Sequence, residues 1–341
     1  MLIENEFLTQ IKQIITPDED QLNGLLESDA ELIRIDQDMI LTITTDTIVE
    51  EINSELYTDP YQIGWMTAMV NLSDLAAVGA DVKGFLVNLQ TTRDTELSVI
   101  KSIMKGINDA CVNFGIKVVG GDTNRGENIQ LGGTAFGTIT DNKIIMRKGN
   151  KPGDLLYMTG KMGSGSVFAF KKLIGKHQGD FSFLPQAKIQ EGKIIRHWGS
   201  SCIDTSDAFF PAISNLMYIN QHGIQLDGDL EDLIPDNYKK TMLNTSLPPW
   251  ILLAGPHGEF ELLFTVDAKN EKKLIESAGF MGWEPIKIGE IINEPILKFI
   301  LNGIKIQCDP DDVSNLYDKS EGHLNNYLSS LLEMHQSWLK S

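Results

Sequence analysis

Six aspartates sit where apolar or small-residue runs give way to polar turns: Asp29 in SDAEL, Asp46 in ITTDTIV, Asp74 in VNLSDLAAVGA, Asp122 in VVGGDTNRG, and Asp204 with Asp207 in CIDTSDA. An aspartate at one such place is usually a helix cap or a turn former. Six of them, most at the ends of β-branched segments, point carboxylates at one shared place. Like charges gathered there raise one another's pKa or demand counter-ions. Hard divalent cations that bridge carboxylates and phosphate oxygens meet that demand.

The elements that hold these residues read as alternating helices and strands, as in layered α/β or α+β domains. An amphipathic helix is expected over residues 4–16, with Phe7, Ile11 and Ile15 at helical spacing. A strand over 38–44 leads into Thr45-Asp46. Residues 59–79 read as a helix whose small residues, Gly64, Ala68, Ala76, Ala77 and Gly79, imply close packing against another element. Strands are expected at 85–89, 117–119 and 131–140, with a helix over 96–114. KGNKPGD, residues 148–154, is the expected domain boundary, dividing the chain into 1–148 and 149–341. Beyond it come a strand at 155–159, a glycine-rich turn at 160–165, a helical run to Leu173 and a strand ending at Ile203. A helix over 207–219, strands at 261–266, 283–292 and 298–306, and a closing helix over 324–339 complete the pattern.

Each motif has a plainer reading beside the chemical one. GKMGSGS, residues 160–166, lacks the lysine of a Walker loop and reads as a tight turn at a helix start, where backbone amides could still hold a phosphate. In VVGGDTNRG two glycines let the backbone turn sharply and bring Asp122 to a ligand, and Arg125 adds a planar cation suited to phosphate oxygens; a hairpin also tolerates GGD. Asp74 interrupts an apolar helix. A buried carboxylate there must be paired, coordinated or protonated, whereas an exposed stripe needs none of these. Asp207 or Ser206 could simply cap the following helix. The histidines of HWG (197–199) and PHG (256–258) lack ligand spacing.

Composition narrows the field. A chain of 341 residues is expected to form two domains, and its formal net charge of −18 argues against a nucleic-acid partner. Cys111, Cys202 and Cys308 are far apart, which excludes a zinc ribbon and argues against a disulfide framework. The first 21 residues carry acids early and lack a basic stretch before an apolar core, so no signal peptide is expected. No apolar run reaches the roughly 20 residues of a membrane helix. A cytoplasmic protein without membrane or nucleic-acid partners is expected.

From about residue 25 to 293 the segments TTDTIVE, VNLSDLAAVGAD, GGDTNRG, MRKGNKPGDLLYMTG, IDTSDA and FELLFTV resemble, in order, thiamine-monophosphate kinase. That family lies in the ATP-binding superfamily of aminoimidazole ribonucleotide synthase and selenophosphate synthetase. The resemblance implies a two-domain α/β (α+β) fold: an N-terminal half-barrel sheet with helices, followed by a C-terminal α/β sandwich. It implies ATP as co-substrate and several Mg2+ ions, with Asp29, Thr45, Asp46, Asp74, Asp122, Asp204 and Asp207 as metal ligands. Gly121, Asp122, Arg147 and Ser206 would touch ATP. A homodimer, formed by pairing N-terminal sheets into a barrel, and thiamine phosphate as acceptor are implied too.

Departures from the family pattern fall mainly on the acceptor side. A histidine that meets the substrate falls at Asn53, and a substrate glutamate falls at Gly258, although Glu259 and Glu261 keep acids nearby. The family's Gly-Asp-Asp-Ala-Ala is Ser28-Asp29-Ala30-Glu31-Leu32, and its Ser-Asp-Gly-Leu is Ser206-Asp207-Ala208-Phe209. The loss of that glycine leads one to expect a different local turn. An altered acceptor, ATP-dependent ligase or cyclase chemistry of the purine-synthase type, and a non-catalytic nucleotide-binding relative are the alternatives these departures leave open.

Overall fold

In the computed structural model, which describes residues 8, 10–11, 13–16, 18–174 and 183–340, the strands sort into two sheets. The helix expected over residues 4–16 lies largely outside the described residues. The first sheet comprises β1 (Glu31–Asp36), β2 (Met39–Thr47), β3 (Asp81–Thr91), β4 (Val118–Arg125) and β5 (Gln130–Ile139), in the order β1-β2-β5-β3-β4. β3 and β4 run parallel, so a crossover must join them, and the helix Leu97–Asn113 supplies it.

Strand alternation gives this sheet two unlike faces. Ile40, Phe85, Val87, Leu89 and Ala135 are buried on one, beneath the helix Pro60–Ala77. Ile33, Leu41, Ile43, Leu86, Val119 and Phe136 lie on the other, half-buried or exposed. The helix Pro60–Ala77 starts where Asp59 accepts hydrogen bonds from the Tyr61 and Gln62 amides, with Pro60 at its first position. Fifteen of its 18 residues are buried, so it has no solvent face and must lie between layers. Gly64 lets it approach the backbone of the helix Leu97–Asn113: a Cβ there would stand 1.9 Å from the Ile103 carbonyl oxygen.

The second sheet comprises β6 (Leu155–Met158), β7 (Ser201–Asp204), β8 (Gly223–Asp229), β9 (Leu262–Val266), β10 (Ile286–Ile292), β11 (Leu297–Leu301) and β12 (Ile304–Cys308). Its order is β12-β11-β8-β10-β6-β9-β7. The edge strand β7 also contacts the helix Pro60–Ala77, so one helix touches both sheets. A core cluster crosses with it, from Leu32 and Met66 to Cys202 and Phe264.

Most expected elements stand, with informative differences. The strand expected over 298–306 is a hairpin, because Asn302 and Gly303 both take positive φ (51° and 78°), as a two-residue primed turn requires. β4 does not stop at Val119 but runs through Gly120-Gly121-Asp122 to Arg125. The closing helix, Leu324–Trp338, packs on the second core: the Trp338 ring lies tilted 4.7 Å from that of Trp250, whose Nε1 donates to His335 Nδ1 at 3.1 Å. No helix among the described residues is long and apolar enough to cross a membrane.

Candidate active site

Three of the six aspartates converge. One carboxylate oxygen from each of Asp29, Asp74 and Asp204 lies within 4.8 Å of the others. Asp29 precedes β1, Asp74 projects from the central helix, and Asp204 ends β7. The helix that bridges the two sheets is therefore what assembles the triad. Ser73 Oγ donates to Asp204 Oδ2 at 2.6 Å, Ser206 Oγ to Asp204 Oδ1 at 3.0 Å, and Thr44 Oγ1 to Asp74 Oδ2 at 2.7 Å. Arg147 binds Asp29 at 3.0 Å, with the Asp29 side chain shut from solvent.

The electrostatics are those of crowded anions. Burial, followed by the Asp204, Asp29 and Asp46 charges, lifts Asp74 well above the ordinary carboxylate range. Burial and the Asp29 charge raise Asp204 to about 7. Burial disfavours the Arg147 charge, but Asp29 more than compensates and holds the guanidinium protonated. One cation against three carboxylates leaves negative charge over. Asp29 Oδ2 and Arg147 Nε are buried without a protein hydrogen-bond partner, the residue of polarity a ligand would satisfy. A donor set made only of carboxylate and hydroxyl oxygens fits a hard divalent cation such as Mg2+.

Asp46 and Asp207 are exposed at the rim of this cluster. Asp46 is held by its amide, which donates to Asn71 Oδ1 at 3.0 Å, and its charge reaches Asp74. Alternation along β2 sends Thr44 toward Asp74 and Thr45 to the opposite face, where its hydroxyl donates to the Gly133 carbonyl at 2.8 Å. The Thr45 hydroxyl is thus not among the groups brought together. Beside Asp207, Ala208 lies at φ 84° and ψ −177°, a positive-φ conformation that favours glycine. That conformation is strained for a residue with a side chain.

Asp122 stands apart. It is exposed on β4, where Asn124 donates to it at 2.7 Å. From β2 to β4 there are three inter-strand steps, ~14 Å in all, so Asp122 and Asp46 cannot share one ion. Gly121 shapes this strand: at φ 153°, any Cβ would stand 2.0 Å from the Val87 carbonyl oxygen. Arg125 donates to Thr91 Oγ1 at 3.0 Å and to the Thr92 carbonyl at 2.7 Å, bracing the loop after β3.

On the remaining side Asn53 is exposed at the end of the short helix Val49–Asn53. Gly258 is buried, and a Cβ there would lie 1.8 Å from the Thr205 carbonyl oxygen, so no side chain fits. Glu259 is committed elsewhere. Its carboxylate accepts from the Ser164 and Gly165 amides at 2.8 and 2.7 Å and from the Ser164 hydroxyl, capping the helix Ser164–Leu173. At the 160–166 turn, the Ser164 and Gly165 amides hold this carboxylate.

Sequence reading missed Thr44, Ser73 and Glu51. Thr44 and Ser73 adjoin motif residues on the layer-facing sides of their elements, which strand and helix periodicity could have marked. Burial raises Glu51 to about 7, helped by the Asp46, Glu50 and Asp207 charges, and no spacing in the sequence relates it to Asp207.

The AIR synthase related protein, N-terminal domain family matches residues 27–139. Thiamine-monophosphate kinase of Methanocaldococcus jannaschii is 32% identical over 79% of this chain and 87% of its own length. The Escherichia coli K12 enzyme of that name is 28% identical over 82% and 88%. Among solved structures, Aquifex aeolicus thiamine monophosphate kinase superposes with a TM-score of 0.70 at 20% identity, covering 90% of this chain and 99% of that one. A structure of AaThiL complexed with AMPPCP and TMP gives 0.74 at 20% identity, covering 90% and 96%. The two-sheet mixed α/β architecture is therefore the AIR synthase-like fold. The chain belongs to the thiamine-monophosphate kinase family and is a kinase.

Proposed function

We propose that this chain transfers the γ-phosphoryl group of ATP to the terminal phosphate of thiamine monophosphate. The bond from the γ-phosphorus to the bridging oxygen of ADP breaks, and one to an acceptor phosphate oxygen forms, giving ADP and thiamine diphosphate. The observation that carries this reading is the triad of Asp29, Asp74 and Asp204, three carboxylates within 4.8 Å of one another beside the half-buried Arg147. Phosphoryl transfer demands chiefly positioning and charge neutralisation. Relatives named thiamine-monophosphate kinase, and a related structure complexed with AMPPCP and TMP, support the donor and acceptor assignments.

Asp29, Asp74 and Asp204, with Asp46 and Asp207 at the rim, would hold Mg2+; Asp122 would serve a separate ion along the phosphates. Bound Mg2+ supplies neutralisation of phosphate charge. Arg147 keeps Asp29 oriented, while Ser73, Thr44 and Ser206 fix the lone pairs of Asp204 and Asp74 by donating to them. Gly121 and Ser206 would approach the nucleotide. Gly258 and Glu259 are unsuited to grip the acceptor, the first lacking room for a side chain and the second sealed in a helix cap, so other groups must hold it.

A division at 148/149 separates β1–β5 from β6–β12. A homodimer pairing the open faces of the first sheet is supported by exposed Leu86 and Val119. A cytoplasmic setting is supported by three buried free cysteines. The test of function is ADP formation from Mg2+-ATP with and without thiamine monophosphate. ADP and thiamine diphosphate in equal amounts are expected; ATP binding without acceptor-dependent ADP overturns the acceptor assignment.

A further inference from the structure

The buried triad meets solvent at a rim where Asp46 and Asp207 are exposed. Two loops flank that rim. One follows Asp46 through the helix Val49–Asn53 to Tyr57. The other, residues 255–258, lies on the backbone after Asp204: Cβ atoms at Gly255 and Gly258 would stand 3.0 Å from the Asp207 carbonyl oxygen and 1.8 Å from that of Thr205.

A direct bond joins these loops, from the Tyr57 hydroxyl to His257 Nε2 at 2.9 Å. Tyr57 is 3% exposed, and its ring stacks on Phe168 at 6.0 Å while His257 meets Phe183 edge-on at 5.4 Å. Burial lowers His257 to about 4, so the imidazole is neutral and Nε2 can accept. Ser166 Oγ donates to the His257 carbonyl at 2.9 Å, and Tyr327 Oη to that of Gly255 at 2.6 Å. The loop is thus pinned to the second-sheet side by two bonds and to the first-sheet side by Tyr57.

We propose that Tyr57 and His257 are positioning residues that couple the two loops flanking the rim, and so set binding of the phosphoryl acceptor but not of the nucleotide. This rests on the kinase reading above. On that reading the nucleotide phosphates are held through Mg2+ on the carboxylates, whose hydrogen-bond partners Ser73, Thr44, Ser206 and Arg147 make no hydrogen bond to Tyr57 or to the His257 ring. An acceptor entering between the loops depends on their spacing.

The test compares Tyr57→Phe, His257→Leu and His257→Gln with the parent in ADP-release kinetics, using thiamine monophosphate as acceptor. Losing one buried hydrogen bond predicts a rise in acceptor KM of roughly five- to tenfold in Tyr57→Phe and His257→Leu. The KM for ATP should stay within about twofold, and His257→Gln, which retains an acceptor atom, should recover most of the loss. Equal rises in both KM values, or no change in either, overturn the proposal. Hydrogen exchange of the full chain supplies an arm independent of turnover: Tyr57→Phe should speed amide exchange in both 53–58 and 255–260. If the parent is inactive with thiamine monophosphate, the kinase reading fails on that result alone. Unchanged exchange in either loop then overturns the coupling separately.

Discussion

Replacing Asp204 by asparagine tests the charge crowding that defines this site. Asparagine keeps the shape and accepts at one oxygen, so one of the Ser73 and Ser206 hydroxyls must turn to accept from its NH2, and the main change is the loss of one charge. Two carboxylates at the 4.8 Å limit repel by about 3 kcal/mol at an effective dielectric near 20. Independently, raising Asp204 from 3.8 to about 7 corresponds to ~4 kcal/mol. In the folded state Asp204 binds its proton more tightly than in the unfolded chain. Its contribution to stability is therefore fully present below pH ~4 and is lost as pH rises through about 7. Without divalent cations the parent should lose several kcal/mol across that window, and Asp204→Asn should lose markedly less. At pH 8 the variant's metal-free melting temperature should be higher by roughly 5 °C. Saturating Mg2+ should stabilise the parent and not the variant. The assay is thermal unfolding from pH 4.5 to 8.5, with EDTA or Mg2+. A parent whose metal-free stability rises with pH over that range, or a variant with the parent's full Mg2+ response, refutes the reasoning.

Three further outcomes follow from particular contacts. Ala208→Gly removes a side chain from a backbone of φ 84° and ψ −177°, and should raise stability in urea by ~1 kcal/mol; a lower unfolding midpoint contradicts the strain. Gly258→Ala drives a Cβ against the Thr205 carbonyl oxygen and should cost ~1–3 kcal/mol in the same assay, with acceptor KM raised. Glu259→Gln weakens the cap on the helix Ser164–Leu173 and should cost about 1 kcal/mol, while leaving the KM for ATP unchanged; loss of nucleotide affinity would instead assign Glu259 to the phosphate site.

The central helix was legible because its small residues and its continuous apolar run left no polar face, and Asp74 stood out against that background. The helix beginning near Phe209 was legible despite its unusual entry. The β11–β12 hairpin was not, since one apolar run conceals the Asn302-Gly303 turn unless the turn chemistry is weighed. The strand through Gly120-Gly121-Asp122 was read as a turn because glycine permits both; the Val87 carbonyl, distant in sequence, decides that the residue lies flat against its neighbour.

The sequence by itself determined that several carboxylates end β-branched segments and which family they resemble. Those properties are local, set by residue type and periodicity. Only the tertiary structure decided that Asp29, Asp74 and Asp204 form the buried triad while Asp46 and Asp207 stand at its rim and Asp122 stands on a distant strand. It likewise decided that Thr44 rather than Thr45 turns toward the carboxylates, and that Glu259 closes a helix rather than meeting a substrate. Convergence depends on a single helix packing against both sheets at once, and long-range packing leaves no trace in the spacing of the residues it brings together.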